Sequence, residues 1–243
     1  MADFNGDGIQ DMAIANAAGD VVVMLGTGKL NYNFSFYGAP GTGEPEALVI
    51  GDFNNDGHPD FAVGTFNGGV GVYINKGAGT FTGPTTYQVG DDLGLATADV
   101  DGDGNPDLVG EGFIMLGLGN GKFEVPAPLA RTSMRPAGRR NSAAPKATSI
   151  IGSAVVLADF NNDRFLDVVV TGPLLLNESE IALGNGNGTF GPFKFGNLAQ
   201  GGASVAAGDF NNDGNMDLAF SLTSGRWPCA SGTAMALSRS RTS

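Results

Sequence analysis

Asp52-Phe53-Asn54-Asn55-Asp56-Gly57-His58-Pro59-Asp60 decides the reading of this chain, because its pattern occurs five times. The counterparts are Asp3-Phe4-Asn5-Gly6-Asp7-Gly8-Ile9-Gln10-Asp11, Asp99 to Asp107, Asp159 to Asp167 and Asp209 to Asp217. Their first aspartates are separated by 49, 47, 60 and 50 residues. Together the five segments hold 16 of the 25 acidic residues, so the net charge of −12 is concentrated in short stretches. Clustered carboxylates repel one another and are costly unless a cation neutralises them. One such segment would read as a solvated turn; five with the same internal spacing do not.

The flanks of each segment also repeat. A short apolar run enters it, as in Ala47-Leu48-Val49-Ile50-Gly51 and Val155-Val156-Leu157-Ala158. A second run leaves it: Phe61-Ala62-Val63, Leu108-Val109, Val168-Val169-Val170 and Leu218-Ala219-Phe220. A third follows, Val21-Val22-Val23-Met24-Leu25 or Val70-Gly71-Val72-Tyr73-Ile74. A glycine turn then leads to Phe81, Phe123 or Phe190, with Leu30 expected in that place in the first unit. Runs this short, β-branched and bounded by Gly or Asn read as strands, and no sustained 3.6-residue period competes. A period near 50 residues is that of propeller blades and other arrays, whose units bury their faces by stacking. The expectation is an all-β chain: a single-domain β-propeller of about five four-stranded blades, incomplete at both ends. Its units would run roughly over 1–45, 46–93, 94–130, 150–198 and 201–243.

Composition excludes several classes. At 243 residues and 42% hydrophobic the chain can bury a core, so a wholly disordered polymer is excluded. No run approaches the ~20 apolar residues of a membrane span. The single cysteine, Cys229, rules out an internal disulfide framework or a cysteine-built zinc site. Forty glycines without a strict three-residue period mean turns, not collagen. The acidity disfavours nucleic acid as a partner.

The segments have the makings of calcium sites. Calcium takes six to eight oxygens at ~2.3–2.6 Å in adaptable geometry, whereas magnesium demands a tighter octahedron. Side-chain oxygens stand at positions 1, 3, 5 and 9: Asp3, Asn5, Asp7 and Asp11; Asp52, Asn54, Asp56 and Asp60; Asp99, Asp101, Asp103 and Asp107. The fourth and fifth sets are Asp159, Asn161, Asp163 and Asp167, and Asp209, Asn211, Asp213 and Asp217. The backbone carbonyl at position 7 adds another donor, from Ile9, His58, Asn105, Phe165 and Asn215. An EF-hand would end with Glu at position 12 and run into a helix. Here position 12 is Ile14, Val63, Gly110, Val170 or Phe220, and the flanks are strands. Up to five Ca2+ ions are therefore expected. The third site, with the extra acid Asp101, should be tightest. The fourth, with Arg164 in place of the position-6 glycine, should be weak or empty.

The segments D-F-N-x-D-G-x-x-D, followed by Gly77-Ala78-Gly79-Thr80-Phe81, Gly119-Asn120-Gly121-Lys122-Phe123 and Gly186-Asn187-Gly188-Thr189-Phe190, resemble the FG-GAP/VCBS repeat family, whose blades also build the head of integrin α chains. The resemblance implies a calcium-binding loop between the first two strands of each blade. It also implies an extracellular or cell-surface adhesion or recognition module for intact relatives.

Two stretches depart from the repeat. Residues 131–149 contain Arg131, Arg135, Arg139, Arg140 and Lys146 and no acid. Their composition favours a poorly ordered insertion over a loop that contacts an anionic partner. From Arg226 the tail 226–243 abandons the pattern and holds the only Trp, Trp227, and the only Cys. Its codons, read one base upstream, permit V-A-V-R-L-G-N-G-D-G-T-F, the missing strand and turn, so a slipped reading frame is the expectation. Met1-Ala2 opens directly on the first loop, with no charged-then-apolar leader before it, which reads as a clipped start without a signal peptide.

Catalysis is not expected. With His58 as the only histidine, a histidine-based triad has no material. The leading expectation is a calcium-stabilised module binding a protein or glycan on its loop face, as a monomer or as part of a larger chain. The second is a carbohydrate-binding accessory to a polysaccharide-processing protein. Tyr32, Phe34, Phe36 and Tyr37 would be its sugar-stacking candidates, although a buried strand is the expected home of most of them.

Overall fold

The structure is a computed structural model that describes residues 1–16, 18–41, 43–66, 69–89, 94–129, 154–171, 179–196 and 202–222. The basic stretch 131–149 and the tail 226–243 lie outside the described residues, and with them the frame-slip reading. Among the described residues every regular element is a strand, as the short β-branched runs predict. No helix there is long and apolar enough to cross a membrane.

The chain divides into two compact units, Met1–Leu129 and Ala130–Ser243. In the first, β4 (Pro45–Gly51), β5 (Asp60–Thr65), β6 (Gly69–Asn75) and β7 (Phe81–Tyr87) form an antiparallel meander whose sheet order is the chain order. The next sheet repeats it with β8 (Leu95–Ala98), β9 (Asp107–Gly110), β10 (Phe113–Met115) and β11 (Ala127–Pro128). The first sheet departs from the expected four strands. It has β1 (Met12–Asn16), β2 (Asp20–Gly26) and β3 (Tyr32–Gly38), and only the bridge Ala2↔Asp11 stands where the entering strand belongs. In the second unit β12 (Val155–Ala158), β13 (Asp167–Thr171), β14 (Ser179–Ala182) and β15 (Lys194–Gly196) make a third four-stranded meander. β16 (Gly202–Gly208) and β17 (Asp217–Leu222) pair as a two-stranded sheet among the described residues.

Alternation along the strands sends side chains to two faces, and both faces of the second sheet are covered. On one face Val21 and Val23 meet Phe61, Val63 and Tyr73. On the other Ala62, Val70 and Val72 meet Leu108, Phe113 and Met115. Consequently β5 is buried along its whole length. In the second unit Val169 packs with Leu218 and Phe220.

The two halves of the repeat signature meet across neighbouring sheets, not within one. Phe81 sets its ring edge-on to Phe4 at 5.3 Å, and Phe123 does the same to Phe53. The N–H of Phe81 donates to the Tyr37 hydroxyl and that of Phe123 to the Tyr87 hydroxyl, at 3.2 and 2.9 Å. Gly121 donates its N–H to the Phe53 carbonyl at 2.8 Å, and a β-carbon there would lie 2.8 Å from Ile74. With φ of +78°, this place admits little but glycine.

One register expectation is corrected. The pair Gly26↔Tyr32 occupies the place of Asn75↔Phe81, and Thr27 bonds Asn31 as Lys76 bonds Thr80. Tyr32, not Leu30, therefore stands where the signature phenylalanine belongs. Leu30 takes the turn position of Gly79, with φ of 60° and 88% exposure. An aliphatic residue two positions early misled a reading based on residue type.

Candidate metal centres

Each acidic segment is the connection between the first two strands of its unit and springs from one backbone pair. That pair is Gly51↔Asp60, Ala98↔Asp107, Ala158↔Asp167 or Gly208↔Asp217, with Ala2↔Asp11 in the first unit. Position 9 is thus the first residue of the outgoing strand or adjoins it, and its side chain turns into the protein. Asp11, Asp60, Asp107 and Asp167 have no exposed surface, and Asp217 is 4% exposed.

Short polar side chains fold the loop by capturing its own N–H groups, in the manner of Asx turns. Asp52 accepts the N–H of Asp56 at 3.1 Å and that of Gly57 at 2.8 Å. Asp3, Asp159 and Asp209 hold positions 5 and 6 of their loops in the same way. Asp99 instead holds positions 4 and 6, Gly102 and Gly104. The position-5 aspartates Asp7, Asp56, Asp103, Asp163 and Asp213 each accept the N–H of position 7, at 2.8–2.9 Å. Asn5, Asn54, Asn161 and Asn211 accept the position-5 N–H and donate to the position-5 carboxylate. Asp101 accepts the same N–H but offers a second carboxylate in place of an amide.

The position-9 aspartates do more than sequence spacing suggests. One oxygen accepts the N–H of position 2, from Phe4, Phe53, Val100, Phe160 or Phe210, at 2.7–3.1 Å. In four units the other accepts an N–H from the third strand's end, that of Gly26, Asn75, Gly117 or Gly184. These carboxylates brace loop against sheet, and each oxygen keeps a lone pair for a further partner. Bracing by distant N–H groups leaves no local spacing signal, which is why it was not foreseen.

Burial pushes the carboxyls of Asp60 and Asp107 up to about 6, with the neighbouring loop acids adding repulsion against the pull of the two N–H bonds. Asp167 and Asp101 are raised for the same leading reason. The His58 N–H holds Asp56 low, and the Asn215 N–H does so for Asp213. The second loop thus pairs a buried carboxylate that resists ionisation, Asp60, with an exposed one that ionises readily, Asp56. In the third loop Asp99, Asp101 and Asp107 bring carboxylate oxygens within 4.8 Å of one another, a grouping that could hold a metal ion. The donors are carboxylate, amide and carbonyl oxygens, the chemistry that suits a hard divalent cation.

The remaining candidates fall where the fold puts them. Arg164 keeps the loop shape, donating its N–H to Asp159 at 2.7 Å, but does so at φ of 78°. His58 is exposed, and its ring lies against the Gly77 turn. Of the four aromatic candidates, Tyr37 is half-buried against Phe61, Tyr73 and Phe81, and Tyr32 is half-buried. Phe34 and Phe36 are 58% and 68% exposed, contrary to the buried home expected of most. Alternation along β3 turns them away from the face that carries Tyr37.

Comparison with known proteins follows the same repeats. The profile of a family described as FG-GAP-like repeat matches residues 3–63, 52–110 and 159–220. Comparison with curated protein sequences gives no match. Among solved structures, the chain is similar to an Agrocybe aegerita lectin described for specific recognition of non-reducing terminal N-acetylglucosamine, with a TM-score of 0.58 and 22% identity. It is also similar to the V. cholerae biofilm matrix protein Bap1, with a TM-score of 0.52 and 17% identity. The likeness covers 90% and 85% of this chain but 58% and 29% of those two, so the chain spans only part of their length. At such identities the likeness is one of fold.

Proposed function

This chain belongs to the FG-GAP-like repeat family, and on that premise we propose that it is a non-catalytic, calcium-stabilised β-propeller module that binds a protein or glycan ligand outside the cell. One observation carries the reading: the same oxygen-donor positions recur in five loops, four of them between the first two strands of a sheet and the first enclosed by the bridge Ala2↔Asp11 ahead of β1. A role in catalysis would call for one distinctive site; a role in holding sheets and loops calls for repetition. The third loop is the strongest candidate, with Asp99, Asp101, Asp103 and Asp107 as side-chain donors and the Asn105 carbonyl beside them. Bound calcium would neutralise the crowded carboxylates and fix the loops on which a ligand would rest. Millimolar calcium outside cells suits multi-oxygen sites of this kind.

Thermal melting tests this directly. A ligand that binds only the folded state stabilises it by about 2.7 kcal/mol per site at a hundredfold excess over Kd. The melting temperature should therefore rise by several degrees between EDTA and calcium supplied at about a hundredfold excess over Kd. Identical melting curves in the two conditions would remove the metal from the reading.

A narrower second reading, a carbohydrate-binding accessory, draws on the exposed rings of Phe34 and Phe36 and on the described sugar recognition of the similar lectin. A glycan array with the native chain and a Phe34→Ala, Phe36→Ala double variant separates the two readings. Sugar binding lost in the double variant supports the accessory; no bound glycan leaves a protein ligand.

A further inference from the structure

Two loops are tied to their neighbours by side chains that belong to no donor set. Asn55, at position 4 of the second loop, donates its Nδ2–H to Oδ1 of Asn105 in the third at 2.7 Å. Asn105 in turn donates its Nδ2–H to Oδ2 of Asp103 at 2.8 Å, while its backbone N–H reaches the other oxygen of that carboxylate. The same relay recurs further along the chain. Asn162 donates to Oδ1 of Asn215 at 2.7 Å, and Asn215 donates side-chain and backbone N–H to Oδ1 of Asp213, at 2.7 and 2.9 Å. The direction of each relay is fixed by chemistry. An ionised carboxylate only accepts, so the position-7 amide must turn its NH2 toward the aspartate, and its oxygen is left facing the position-4 asparagine.

The backbone is shaped for this contact. Asn55 and Asn162 sit at φ of 57° and 61°, which asparagine tolerates better than other side chains. Gly6 and Gly102 hold position 4 in the first and third loops and have no side chain to extend, and their successors offer His58 and Phe165 at position 7 instead of asparagine. At Gly119 a β-carbon would stand 2.3 Å from Asn105 Oδ1 and 2.8 Å from Asn55 Nδ2, so the turn beside the relay leaves it room.

We propose that Asn55 and Asn162 are positioning residues for the metal sites of the loops that follow them, the third and the fifth. Each orients the position-5 aspartate of its neighbour through the position-7 amide, so the affinity of one loop depends on a residue about 50 positions upstream. The first, second and fourth loops lack this support. This rests on the calcium reading above.

The test uses Asn55→Gly and Asn162→Gly, which remove the amide but keep the left-handed backbone that glycine adopts freely. Amide hydrogen exchange of the full chain, read peptide by peptide during a calcium titration, reports each loop separately. In Asn55→Gly the calcium midpoint for protection of residues 99–107 should rise about threefold to tenfold, the effect of one hydrogen bond to a charged network, while that of 3–11 stays put. Asn162→Gly should shift 209–217 and leave 99–107 unchanged. The metal-free melting temperature serves as a check that both variants fold. Calcium protection in the native chain with unmoved midpoints for 99–107 and 209–217 in the variants overturns the positioning role alone. Absence of calcium protection in every loop of the native chain overturns it together with the metal reading.

Discussion

Replacing Asp60 by asparagine should stabilise the metal-free protein at neutral pH, although it removes an acceptor for one of two backbone N–H groups. Asp60 has no exposed surface and accepts the N–H of Phe53 at 2.9 Å and of Asn75 at 2.7 Å. Burial, reinforced by Asp56 and Asp52, nevertheless pushes its carboxyl from 3.8 up to about 6. The folded value lies above the unfolded one. The stability this group contributes is therefore complete below about pH 4 and is lost as pH rises through about 6. A displacement of about two pH units corresponds to about 3 kcal/mol. Asparagine mimics the protonated acid but turns an NH2 toward one backbone donor, at a cost of about 1 kcal/mol. In EDTA, Asp60→Asn should be about 1 kcal/mol less stable than the native protein at pH 4 and about 2 kcal/mol more stable at pH 7.5. Urea unfolding at the two pH values measures both. A variant that is destabilised equally at pH 4 and pH 7.5 would refute the reasoning, since the two N–H bonds to the ionised carboxylate would then outweigh its burial.

Other substitutions probe the interlocked sheets and the odd loop. Phe53→Ala opens a cavity beneath Phe123 in a fully buried place and should cost about 3–5 kcal/mol in urea unfolding. Tyr87→Phe strips the acceptor from the Phe123 N–H and should cost about 1–2 kcal/mol, with the loss confined to that bond if Tyr37→Phe adds to it independently. Arg164→Gly relieves a left-handed backbone and removes a positive charge. It should raise the metal-free unfolding free energy by on the order of 1 kcal/mol and lower the calcium midpoint of 159–167 in hydrogen exchange.

The all-β character, the sheet meanders and the place of the acidic loops were legible because each rests on local pattern. Runs such as Val168-Val169-Val170 have a strand period and length, and the five-fold recurrence of D-x-[ND]-x-D survives every change between the units. What the sequence hid was contact at a distance. The spacing makes Asp60 one more oxygen donor, but its bonds to Phe53 and Asn75 require knowing which strand end returns to the loop. The partners Phe53 and Phe123 were each visible as signature residues, yet nothing local says that one covers the other in the neighbouring unit. Position 7 was legible only as a carbonyl, so the amides of Asn105 and Asn215 passed without notice. The first unit shows the limit of residue type: Leu30 looks like a variant of the signature phenylalanine, and only strand register hands that place to Tyr32.

The meeting of the signature halves across sheets bears on how such a gene can grow or shrink. A single period cut from the array has an empty socket at its loop phenylalanine and a bare plug at its glycine turn. Unequal crossing-over that moves one whole period between these sheets leaves plugs such as Phe81 and Phe123 facing sockets such as Phe4 and Phe53, wherever in the period the break falls. Array length is then free to drift while packing at such joints is preserved, whereas loss of a lone turn unseats the sheet upstream of it.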